Sequence, residues 1–128
     1  MDKKYVLTGL GYAIVGLLLG IYMAATKNHI QLVTHAHIML LGFVVSFIYA
    51  VIHKLWLIGM SSKLAKVQFY CHQIGAFALF VGLFLLYGEF VADDKIGPFL
   101  GVASVVVFIG MVLMKVMFIK YGKNEQAI

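Results

Sequence analysis

The chain has no arginine, one cysteine, one proline and one tryptophan among 128 residues, and only 12% of it is charged. Each scarcity excludes something. The single Cys71 excludes an internal disulfide framework and reads as a small apolar side chain. Pro98 is the only helix breaker, so nothing interrupts the long apolar runs that precede it. Without arginine, and with ten lysines scattered between those runs, the net charge of +5 describes no nucleic-acid-binding stripe. The few charges go with a 63% hydrophobic composition and a mean hydropathy of +1.01, which excludes an ordinary soluble domain.

What is present in abundance is membrane-spanning sequence. A span takes roughly 20 apolar residues, and four segments qualify, predicting helices over about 5–25, 30–58, 65–88 and 98–120. They fill the chain as a single transmembrane domain, 1–128, with no room for a soluble one. The first span is too long and too polar at its flanks for a cleaved signal peptide and is expected to be retained. Short connections make neighbouring helices antiparallel, so the expected architecture is an all-α, integral membrane four-helix bundle of up-down topology. Pro98 suits the first turn of helix four, where its missing N–H costs nothing. Lys3, Lys4, Lys54, Lys63, Lys66, Lys115, Lys120 and Lys123 gather at one end, whereas Glu89, Asp93 and Asp94 lie at the other with Lys27 and Lys95. The positive-inside rule then predicts cytoplasmic termini and a multi-pass protein of the cell inner membrane. Trp56 and Tyr121 fall at interfacial depth.

Small residues recur at helical spacing. Gly16 and Gly20 form a GxxxG in helix one, and Gly42, Ser46 and Ala50 repeat every four residues in helix two. Both patterns let helices approach closely, for bundle packing or for a dimer seam.

The histidines are the chemistry-bearing residues. Ionisable side chains within a span are functional candidates, as metal or haem ligands, proton relays or interhelical hydrogen bonders. His35 and His53 are eighteen residues apart, about five full turns, and so share a face with Met39, Gly42, Ser46 and Tyr49. His37 lies about 160° away on an aliphatic face, toward lipid or another subunit. His72 shares a stripe on helix three with Gln68, Gly75, Ala76, Leu79 and Gly82. It lies near the opposite surface from His35, on the order of 20 Å away, too far for one iron to bind both. His53 comes level with His72 as a possible second site, although a solvated interfacial imidazole is the plainer reading. Met23 is a candidate soft axial ligand near His35, or a flexible packing residue. His29 sits in a connection, where a solvated ring needs no explanation.

At His35-Ala36-His37-Ile38-Met39 the chain resembles the second helix of the haem–copper oxidase catalytic subunit family, which includes nitric oxide reductases. The "HAH…LLG" run also looks like small four-helix membrane proteins related to that subunit. The resemblance implies that His35 is an axial ligand of a low-spin, b-type haem. The chain departs from the family in lacking the later histidines of a copper-containing centre and the arginines that hold haem propionates. Lys27 is the outer-side cation left for a propionate, and a complete oxygen- or nitric-oxide-reducing site is not expected in one chain. The resulting expectation is a haem-binding membrane protein for electron transfer or gas binding. It would assemble as a homo-oligomer in the lipid bilayer, with His35 and His37 as ligands, an unidentified redox partner and no nucleic acid. Two other readings stand beside it: a cofactor-free accessory or scaffold subunit, and a copper-handling protein using His35, His37 and methionines. Met111, Met114 and Met117, low in helix four, lie away from those histidines.

Overall fold

Four long helices dominate the structure, a computed structural model that describes residues 1–60 and 62–122. They are α1 (Asp2–Thr26), α2 (Leu32–Leu55), α3 (Lys63–Tyr87) and α4 (Asp93–Tyr121), each long and apolar enough to cross a membrane. Ser61 and Lys123 lie outside the described residues. The chain folds as an up-down bundle of two hairpins: α1 packs along α2, α3 along α4, and the pairs join where α2 meets α3. Wide apolar surface on all four helices faces outward, as a multi-pass membrane protein requires.

Most expected spans hold to within a few residues, but two features differ. Helix α4 begins at Asp93, five residues before Pro98. Asp93 and Asp94 stabilise the first turn through the helix dipole, and Pro98 removes only the bond to the Asp94 carbonyl, near the helix end. The second difference is in α2, which is not α-helical throughout. Residues Ile38–Val44 form a π-helical segment, in which the Val45 N–H reaches back five residues to the Leu40 carbonyl. The wider turn matches the four-residue period of the sequence. Thr34, Ile38, Gly42 and Ser46 are all buried, whereas an unbroken α-helix would carry such a series about 40° further round at each step.

Glycines set how closely the helices approach. A Cβ on Gly42 would stand 2.8 Å from the Tyr12 Cβ of α1. One on Gly75 would stand 2.9 Å from Val107 Cγ2, and one on Gly110 would stand 3.3 Å from the His72 backbone nitrogen. With lipid tails as apolar as the side chains, such close van der Waals contact is what associates helices in a bilayer. The Gly16–Gly20 motif is used within the chain in this way. Gly16 accommodates Ile38 and Met39, and Gly20 accommodates the ring of His35.

Candidate functional site

The five histidines fall into three environments. His35 is half-buried between α2 and α1, with its ring lying over Gly20: Cε1 is 3.0 Å and Nε2 3.7 Å from where a Cβ would stand. Its Nδ1 is 2.8 Å from the Gly16 carbonyl oxygen. A carbonyl can only accept, so Nδ1 carries the proton and Nε2 holds the lone pair. This is the arrangement in which ligating histidines are usually found, one nitrogen donating to an oxygen and the other free for a metal. His37 is exposed, and its Nδ1 likewise donates to a carbonyl, that of Val33 at 2.9 Å. Its Nε2 is also left as an acceptor, on a different face from His35, as a spacing of two dictates.

Met23 is buried one turn beyond Gly20 on α1. It lines a cavity of about 360 Å³ at the acidic end, with Leu19, Tyr22, Gln31 and Phe84. Gln31 braces that end by donating to the Phe84 carbonyl at 3.0 Å and accepting from the Thr34 hydroxyl at 2.6 Å. Lys27 and His29 are exposed in the connection between α1 and α2.

His53 and His72 form the third environment, near the lysine-rich end. His53 is buried, at 4% exposure, which corrects the expectation of a solvated interfacial ring. Tyr5 explains the burial: its ring stacks on His53 with centroids 5.9 Å apart, and the same ring meets His72 at 5.9 Å, Tyr49 at 5.3 Å and Phe69 at 4.8 Å. The two histidines thus come to the same level, as the hairpin geometry predicts, with each ring against Tyr5. The Tyr5 hydroxyl donates to Gln68 Oε1, and Gln68 Nε2 donates to the Gly110 carbonyl at 3.0 Å. His72 Nε2 is hydrogen-bonded to Ser46 Oγ at 3.0 Å, and the Tyr49 hydroxyl donates to Met111 Sδ at 3.2 Å. All four helices are therefore tied together at one level. His53 Nε2 and His72 Nδ1 are enclosed without a hydrogen-bond partner among the described residues.

Helix α1 measures the separation of these environments. Tyr5 and Gly16 are eleven residues apart, about 17 Å along the axis, so His35 and His72 serve no common iron within one chain. Among the described residues, no three histidine, cysteine or acidic side chains come together as a metal site. The role of Tyr5 was not legible in the sequence, because a tyrosine at the start of a span reads as an interfacial anchor. Gln68, an amide within an apolar run on the stripe of His72, was the available signal. No family model, curated protein or solved structure matches this chain.

Proposed function

We propose that this protein is a membrane b-type haem-binding protein for electron transfer or gas binding, with His35 as an axial ligand through Nε2. The single observation that carries the reading is the 2.8 Å bond from His35 Nδ1 to the Gly16 carbonyl. It fixes the tautomer and ring orientation of a ligating histidine without another side chain. The side-chain-free surface of Gly20 gives the ring room, and the His35-Ala36 and Met39 pattern resembles a known haem-ligand helix. When bound, the haem iron supplies one-electron exchange if both axial positions are filled, or a site for a diatomic gas if one is open.

Among the described residues no cluster of histidine, cysteine or acidic side chains surrounds His35, so the second axial group is assigned to another copy, as His35 or His37, in a homo-oligomer, with Met23 as the alternative within the chain. The exposed Nε2 edge of His37 suits such a contact. Lys27 supplies a cation for a propionate at that end. The lysine-rich end is assigned to the cytoplasm and the protein to the cell inner membrane, on the positive-inside rule. The test is the visible spectrum of protein purified after expression with ample haem. A Soret band lost in His35→Ala and kept in His72→Ala supports the reading; no Soret band in the unaltered protein contradicts it.

A second reading has its own observation. The Ser46–His72 bond and the Tyr5–Gln68–Gly110 chain are interhelical hydrogen bonds that need no cofactor, as expected of an accessory or scaffold subunit. Metal analysis alongside the spectrum separates that reading, and a copper-handling one, from the first.

A further inference from the structure

A groove of about 340 Å³ runs between α3 and α4 on the outer surface of the bundle, starting at the lysine-rich end. Its mouth is Lys63 and Lys66, both exposed on the first turn of α3, and its walls are Val67, Tyr70, Ile74 and Val106. Past the two lysines the lining is apolar, and Val67, Tyr70 and Ile74 are 46%, 52% and 64% exposed. No carboxylate lines it among the described residues. The floor is sealed where the helices cross closely, since a Cβ on Gly75 would meet Val106 Cγ1 at 3.0 Å.

We propose that this groove binds one anionic phospholipid from the leaflet at the lysine-rich end, its phosphate between Lys63 and Lys66 and an acyl chain along Val67, Tyr70 and Ile74. Charge and length select this occupant. Two ammonium groups without a carboxylate partner among the described residues attract a phosphate at the depth where headgroups lie. The stretch from Lys63 to Ile74 is eleven residues, about 17 Å of helix. That is close to one leaflet of a hydrocarbon core about 30 Å thick. An apolar helix from another protein would cover the walls but leave both lysines facing hydrocarbon or headgroup without a counter-ion.

Cys71, the only cysteine of the chain, is half-buried in the groove wall and reports on occupancy. The full-length protein is placed in phosphatidylcholine nanodiscs with and without phosphatidylglycerol, and labelling of Cys71 by a membrane-permeant maleimide is timed. Phosphatidylglycerol is expected to slow labelling several-fold in the unaltered protein and not in a Lys63→Gln/Lys66→Gln variant. Native mass spectrometry is expected to retain one phosphatidylglycerol per chain, lost in the same variant. The proposal is overturned by equal labelling rates in the two lipids or by protection that survives loss of both lysines. Protection by inorganic phosphate alone, or protection that follows protein density rather than lipid charge, also overturns it.

Discussion

His35 and Gly16 are joined across α2 and α1 by a hydrogen bond of 2.8 Å from an imidazole Nδ1 to a backbone carbonyl. The bond is possible because α1 presents glycine at both 16 and 20, so the ring can lie against the helix rather than on a side chain. A helix contact that looks like simple packing therefore also sets which ring nitrogen is free. Disturbing the contact should disturb the nitrogen.

Replacing Gly20 by leucine tests this. The added side chain starts 3.0 Å from His35 Cε1 and must push the ring aside. Overpacking of this kind costs about 1–3 kcal/mol. Thermal unfolding in detergent should show that loss, together with loss of the haem that the proposed function assigns to His35. Gly11→Leu, where a Cβ meets nothing within 4 Å, should leave both unchanged.

The Ser46–His72 bond is predicted to be modest in energy. Interhelical hydrogen bonds in membrane proteins average about 0.6 kcal/mol and reach about 1.7. A double-mutant cycle of Ser46→Ala and His72→Phe, read by unfolding in denaturing detergent, should give a coupling in that range. A coupling near zero would show that the two side chains are neighbours without an energetic link.

Four spans, their lengths and the antiparallel hairpins were legible because hydropathy and connection length are local properties of the sequence. The period-four repeat of Gly42, Ser46 and Ala50 was legible too, but its extension back through Ile38 to Thr34, and its cause, were not. Angles counted at the α-helical pitch absorb such a series as drift, and a π-helical segment has no composition of its own. His35 and the Gly16–Gly20 motif were each visible alone. Their partnership was not, because it depends on the register between α1 and α2, which a backbone carbonyl does not announce. His53 misled for a related reason: His53-Lys54 reads as interface until Tyr5, nearly fifty residues earlier in the chain, is known to cover it.

The π-helical segment yields a third prediction. Deleting Leu40, exposed at 63%, allows that stretch to relax to an α-helix in which eleven residues cover within about 20° of the three turns that twelve cover from Thr34 to Ser46, so the faces on either side keep their alignment. The variant should keep both the Ser46–His72 bond and the His35–Gly16 bond. Nitrogen chemical shifts of the two imidazoles measure both, with both holding; a change at His35 would show that the segment does not relax to an α-helix.

Tyr5 should carry stability out of proportion to its place near the chain start. Tyr5→Phe retains the ring contacts with His53, His72 and Phe69 but leaves Gln68 Oε1 buried without its donor. An orphaned buried acceptor costs about 1–3 kcal/mol. Gln68→Leu in the same chain removes that acceptor. The double variant should therefore unfold at a temperature closer to the unaltered protein than the sum of the single losses predicts.

The reduced-minus-oxidised visible spectrum, recorded with and without carbon monoxide on the unaltered protein and on His35→Ala, tests the central claim most directly. The account predicts a b-type spectrum in the first and none in the second. A shift with carbon monoxide would mark an open axial position, and its absence two protein ligands. A featureless spectrum from haem-replete unaltered protein, or an undiminished b-type spectrum in His35→Ala, would contradict it.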